Sequence, residues 1–180
     1  MDSSRGALIV VGGLPGTGKS TIARAYVAAT GAAYLRIDTI EQTLINGTDL
    51  QQPLGPVGYE LGYALAAEQL CAGTREVLAE CVNPLAVTRD AWRNAGVASG
   101  AIVVEVEIIC SDPTEHRRRI ENRSTDIPGL RLPTWQQVQD REYEAWDRTP
   151  VILDTAQHSA EQCAVLLSAE VDRSLGRESK

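Results

Sequence analysis

The 180-residue chain contains almost no lysine: Lys19 and Lys180 stand against fifteen arginines. A lysine kept at a motif position therefore says more here than in a lysine-rich protein. The four cysteines, Cys71, Cys81, Cys110 and Cys163, are widely spaced and form no C-x-x-C pair. That spacing excludes a zinc-site pattern and suggests no disulfide framework. Cys81 and Cys110 border strand-like runs and are expected as buried free thiols. No apolar run reaches transmembrane length. The opening MDSSRGALIVV lacks the basic region and long apolar core of a signal peptide, so a cytoplasmic location is expected. The net charge of −7 argues against nucleic acid or an anionic membrane as a general partner, leaving only a local basic groove open. Internal repeats and low-complexity tracts are absent, and so is N-K-x-D, the guanine-reading element of GTPases.

What is present reads as one domain with an ordinary apolar fraction of 43%. Apolar runs alternate with helical patterns, which predicts an α/β fold with a parallel sheet and crossover helices. Strands are expected at about 7–12, 33–37, 76–82, 101–109 and 150–154. Helices are expected at about 18–29, 38–45, 58–73, 85–97, 112–124, 134–147 and 159–174. Three helix starts carry capping signals: Asp112-Pro113-Thr114-Glu115, Thr134 with Gln137, and Ser159 with Gln162. Two polar, Gly/Pro-rich connections interrupt the pattern. One, Asn46–Gly58, forms with the helix start that follows a candidate substrate cap over about 46–63; the other, about 124–133, is a candidate lid. The tail GRESK is expected to fray.

One stretch names a chemistry. Gly12–Thr21, GGLPGTGKST, follows an apolar strand and precedes a helix, and Gly13–Ser20 fits G-x-x-x-x-G-K-[ST]. Glycines let the backbone wrap several N–H groups around a phosphate, and the next helix aims its positive end at the same anion. Gly13, Leu14, Pro15, Gly16, Thr17, Gly18, Lys19, Ser20 and Thr21 are thus the candidate nucleotide cradle. Lys19 would reach the β- and γ-phosphates, and Ser20 would ligate Mg²⁺.

Other residues bear on how a bound nucleotide is used. Asp38 ends the strand-like YLRI, where a carboxylate can take the proton of an attacking hydroxyl, help hold Mg²⁺, or simply cap a helix. Glu80 in VLAECVN is either a metal-site carboxylate of the Walker-B type or a polar strand end. In HRRRIENR, Arg119 and Arg123 share one helical face, reading as a solvated face or as lid arginines that neutralise phosphate charge. Arg36, Glu41, Tyr59, Tyr63 and Arg89 are candidates for the substrate side, with Gln42 beside them. Trp92 is expected either at that mouth or in the core, and Trp135 and Trp146 as packing of the penultimate helix. The missing guanine element and the short chain argue against a GTPase switch and a ring motor, and favour a small kinase.

On GLPGTGKS, LRID, AECVN and RIENR the chain resembles the P-loop small-molecule kinases. These include adenylylsulfate, gluconate and shikimate kinases, chloramphenicol phosphotransferase and the 5′-hydroxyl polynucleotide kinases. The resemblance implies a three-layer P-loop NTPase fold with sheet order 2-3-1-4-5. It also implies a base or substrate ligand at Asp38, lid arginines at Arg119 and Arg123, and an adenine site beside Thr155. Glu80 departs from the family's D-x-x-N at its first position. The implied activity is Mg²⁺-dependent transfer of the γ-phosphoryl group of ATP to a hydroxyl of a small molecule. A nucleoside, nucleotide or polynucleotide 5′-hydroxyl kinase, or a slow ATPase without an acceptor, remain alternatives. The acceptor and the oligomeric state stay open.

Overall fold

The computed structural model describes residues 5–177. Its order is β1 (Ala7–Gly12), α1 (Lys19–Thr30), β2 (Ala33–Arg36), α2 (Ile37–Gly47), α3 (Val57–Cys71), β3 (Glu76–Glu80), α4 (Ala86–Ala98), β4 (Ile102–Ile109), α5 (Pro113–Asn122), α6 (Trp135–Gln139), β5 (Val151–Asp154) and α7 (Ala160–Ser174). The five strands form one parallel sheet in the order β2-β3-β1-β4-β5, as the resemblance implied. A parallel sheet needs helices on both faces, which is why β1 is apolar and buried at all six positions. On one face Ile9, Val11, Leu78, Val106 and Leu153 pack under α1 and α7 through Ile22, Tyr26, Cys163 and Leu167. On the other, Leu8, Val10, Val77 and Ala79 pack with Trp92 of α4 and with Ala66 and Leu70 of α3. Trp92 is therefore core. Among the described residues no helix is long and apolar enough to cross a membrane.

Helix starts match their local chemistry, with one exception. Thr134 and Ser159 each close a capping box with Gln137 and Gln162. Asp112 accepts from Thr114 N at 2.9 Å and Glu115 N at 3.2 Å. Glu115 does not complete a box there; its carboxylate is taken by Arg118 and Arg119 on the next turn. All four cysteines are free: Cys81 and Cys163 are buried, Cys110 is half-buried and Cys71 is exposed. Beyond α7, Arg177 Nη1 bonds Glu76 Oε1 at 2.6 Å, so this part of the expected fraying tail is tied to β3. The tail's remaining residues, 178–180, lie outside the described residues.

The helix expected over 134–147 is corrected to one short helix, α6, followed by an irregular segment. Arg89 of α4 supplies the physical reason. Its side chain is fully buried. Nε donates to Asn83 O at 3.1 Å, Nη1 to Ala145 O at 3.1 Å, and Nη2 to Pro84 O at 3.1 Å and Glu144 O at 2.8 Å. Trp146 lies over the guanidinium, 4.2 Å from ring centre to Cζ, with Tyr143 at 5.2 Å. Carbonyls at 144 and 145 can turn toward Arg89 only if they are not spent on a helix ladder.

Arg89 therefore fastens the 140–150 segment to the turn after β3. Arg89→Ala would take a shared donor from four carbonyls, Asn83 O belonging to a fully buried residue, which costs about 2 kcal/mol or more. Urea unfolding should report that loss. Arg89→Lys should recover little of it, because an ammonium cannot fork toward four acceptors.

Candidate functional site

The site sits where β1, β2 and β3 end. After Gly12 the chain turns through Gly13, with φ 136°, and Gly16, with φ 81°. A Cβ at Gly13 would lie 2.2 Å from Ile108 O, and one at Gly16 2.5 Å from Ile120 Cδ1, so neither position admits a side chain. Thr17 Oγ1 and Lys19 Nζ both donate to Leu14 O at 2.9 Å, curling the loop on itself. Neighbouring elements brace it from outside. Gly13 N donates to Val82 O at 3.0 Å, and Thr155 Oγ1 to Thr17 O at 2.8 Å. His116 Nε2 lies 2.8 Å from Pro15 O and so carries the proton there. The nest opens on the start of α1, with the N–H groups of Lys19 and Ser20 ahead of the first helical bonds and exposed Thr21 donating back to Gly18 O at 3.1 Å.

Two oxygens meet at the loop's mouth. Ser20 Oγ donates to Glu80 Oε1 at 2.5 Å. The same carboxylate accepts from the Tyr34 hydroxyl on Oε2, with Arg36 Nε 3.8 Å away. Burial, with Glu80 beside it, pushes the Tyr34 phenol up and keeps it protonated as a donor. Ser20 and Glu80 form a hard-oxygen pair. That suits Mg²⁺, which keeps several waters and takes one or two protein oxygens beside phosphate.

Lys19, Asp38 and Arg123 complete the grouping. Lys19 is buried, and burial lowers its pKa from the usual lysine value while Glu80 and Asp38 oppose the fall. Asp38 is not a helix cap: α2 begins one residue earlier, and Asp38 lies in its first turn. Arg123 ends α5 half-buried, its Nε buried without a partner. Burial lowers its pKa; Asp38 opposes this and Arg36 adds to it. Arg123 is near enough for its charge to lower the Lys19 pKa further, and two such neighbouring cations suit an anion.

Arg119 lies on the other flank. Nη1 donates to Thr155 Oγ1 at 2.7 Å, Nη2 to Thr155 O at 3.0 Å, and Nε to Glu115 Oε1 at 2.8 Å. A Cβ built on Gly18 would touch Thr155 Cγ2 at 3.3 Å and come within 3.9 Å of Arg119 Nη1. Arg119 and Thr155 thus form one wall against the loop. A cleft of about 660 Å³ opens between α5 and α6 behind Arg123, with Arg117 and Trp135 on its sides.

The substrate-side candidates divide. Glu41 lies against the start of α3, where a Cβ on Gly58 would meet its Cγ at 2.3 Å. Tyr59 stays near the site, its hydroxyl accepting from Asn83 N at 3.0 Å. Tyr63 is spent on packing: its ring stands edge-on to Trp92 at 4.6 Å and its hydroxyl reaches Thr88 O at 3.4 Å. Arg89 is corrected from the acceptor mouth to the interior, and Trp92 takes the core position of its two alternatives, since both are fully buried. Arg36 keeps its place beside the site but is engaged by Glu80 and Asp126. Trp135 stands edge-on to His116 at 5.2 Å, and Trp146 covers Arg89 beyond α6.

Tyr34, His116 and Asp126 were not anticipated. His116 was legible, since it lies four residues before Ile120 on the inward stripe of α5. Tyr34 and Asp126 carried no comparable signal, because their roles depend on pairing across the sheet and across a loop.

The AAA_33 family model, an AAA domain, matches residues 8–144. Comparison with curated proteins finds no match. Among solved structures, the chain is similar to the Mycobacterium tuberculosis APS kinase in complex with AMPPNP and APS, at 20% identity and TM-score 0.69, covering 93% of this chain and 98% of that one. It is also similar to a sugar kinase from Janibacter sp. HTCC2649, at 18% identity and TM-score 0.68, covering 98% and 99%. A gluconokinase from Sinorhizobium meliloti 1021 follows at 20% identity and TM-score 0.62, covering 95% of each. At these identities the likeness is one of fold, and the fold is that of P-loop kinases.

Glu41 gives the site a pH signature. Burial and then the Asp38 charge push its carboxyl up from 4.5 to about 7, with Arg141 opposing. The folded chain holds a proton there that the unfolded chain releases near pH 4.5. The stabilisation is complete below about pH 4.5 and is lost as pH rises through about 7. Glu41→Gln cannot ionise, so the wild type should lose stability relative to this variant across that window. Urea midpoints of the two proteins at matched pH measure the difference, and a flat difference contradicts the assignment.

Proposed function

The chain belongs to the AAA domain family, and from that membership and the grouping of Lys19, Asp38, Glu80 and Arg123 we propose an ATP-dependent kinase that transfers the γ-phosphoryl group to a hydroxyl of a small molecule. The observation that carries the reading is the position of Asp38: its charge is felt by both Lys19 and Arg123, the two cations flanking the loop's mouth. A switch or slow ATPase has no need of a carboxylate placed to receive an alcohol.

In this reading the loop N–H groups and Lys19 hold the β- and γ-phosphates. Arg119 and Thr155 form the wall against the nucleoside. Asp38 accepts the proton of the acceptor hydroxyl as its oxygen attacks the γ-phosphorus, and ADP departs with the electrons of the broken P–O bond. Arg123 balances charge on the transferring oxygens. Ser20 and Glu80 would hold Mg²⁺, which supplies Lewis-acid neutralisation of the phosphate oxygens. Tyr34 keeps Glu80 oriented. Glu41 and Tyr59 belong to the acceptor side, reached through the 46–63 region.

An ATP-consumption screen against pooled nucleosides, sugars and amino sugars tests the reading, with a strong acceptor-dependent signal expected. Consumption that ignores every acceptor would favour the hydrolase alternative and sink the proposal. Once an acceptor is known, Asp38→Asn should lower kcat about a hundredfold or more while ATP affinity stays within about threefold. Glu80→Gln should instead raise the magnesium concentration needed for half-maximal rate.

A further inference from the structure

Resting on the kinase reading, we propose that Arg36 and Asp126 latch the 124–133 segment across the site and so position Arg123 on the γ-phosphate; Arg36 is a positioning residue, not an acceptor ligand.

The segment leaves α5 at Arg123 and crosses to the β2 side of the sheet. There Asp126 is held from two sides. Arg36 Nη1 reaches both carboxylate oxygens, Oδ1 at 2.9 Å and Oδ2 at 3.1 Å, and Arg24 of α1 bonds Oδ2. Two residues on, Asn46 of α2 donates to Pro128 O at 3.1 Å and accepts from Gln42 at 2.8 Å. Ile127, between these anchors, is buried. The strap is thus pinned at β2, α1 and α2, all outside the helix from which it springs.

The two cations holding Asp126 differ. The Arg24 side chain is 52% exposed, a solvent-screened contact, whereas that of Arg36 is 14% exposed. Arg36 also lies within 3.8 Å of Glu80, the carboxylate that takes the Ser20 hydroxyl. It therefore stands between strap and metal-site carboxylate, and Asp126 supplies the closer partner for a guanidinium that would otherwise turn wholly to Glu80. The consequence falls on Arg123. It sits at the root of the strap with a buried Nε that no protein group satisfies, so the course of the strap decides whether its guanidinium meets a phosphate.

Two readouts test this without an acceptor. Amide hydrogen exchange at 124–133 should speed about tenfold or more in Asp126→Asn and in Arg36→Gln, with no further gain in the double variant. Titration with ATP and ADP should show that Asp126→Asn lowers the preference for ATP about tenfold while ADP affinity is held, matching Arg123→Gln, and that the two changes together add nothing. A merely structural loss would weaken both nucleotides alike. Arg24→Gln should do much less than Arg36→Gln, and Asp126→Glu should restore part of the preference. Unchanged exchange in Asp126→Asn, or a kept ATP preference beside a lost one in Arg123→Gln, overturns the latch. If Arg123→Gln itself keeps the preference, the failure belongs to the kinase role of Arg123, and exchange alone decides the latch.

Discussion

The register of β1 against β3 is the constraint from which the site follows. Val11 pairs with Glu80, and β2 brings Arg36 opposite the same residue. Glu80 shares its sheet face with Leu78, the side on which α1 packs, so its carboxylate ends beside Ser20 at the start of that helix. A slip of one residue would present Ala79 or Cys81 instead, since alternate side chains leave opposite faces. Burial of the apolar partners on both faces makes such a slip costly. The energetics of the core thus set the geometry of the mouth. Arg36 and Tyr34 inherit their positions from the same pairing, two residues apart on one strand and both directed at Glu80.

Helix α5 plays a second organising part. His116 and Ile120 press on the loop at Pro15 and Gly16, while Arg119 and Arg123 extend to its two flanks. One helix turned by a few tens of degrees would misplace all four contacts together. Its start is firmly specified by the Asp112 cap and the first-turn Pro113. The loop is therefore shaped by groups more than a hundred residues away in the chain, and its own glycines supply only the permission to bend.

Much of this was legible beforehand. The five strands are recognisable because buried parallel strands read as unbroken apolar runs, and the cradle because its glycines and Lys19 have no cheaper explanation. Sheet order came from resemblance alone. The arginines show where reading a sequence stops. Arg36, Arg89, Arg119 and Arg123 look alike as letters, yet the first pairs with a loop carboxylate and the second is enclosed by carbonyls and indole. Arg119 is held by Thr155 and Glu115 beside the loop, and Arg123 keeps a buried Nε without a partner. Which fate an arginine meets depends on partners distant in sequence, such as Asp126 and Ala145. The long helix expected after Thr134 failed for the same reason: its later carbonyls answer to Arg89 rather than to their own turn.

Among the described residues Lys19 is the lone primary amine on a side chain, and it lies buried at the mouth of the cradle with its basicity reduced. A nucleotide carrying a reactive acyl group on its terminal phosphate would find a single internal target, pre-aligned by the very loop it enters. The scarcity of lysine that first marked the chain thus turns the one buried amine, folded against Leu14 O in the glycine loop, into a built-in handle for covalent labelling.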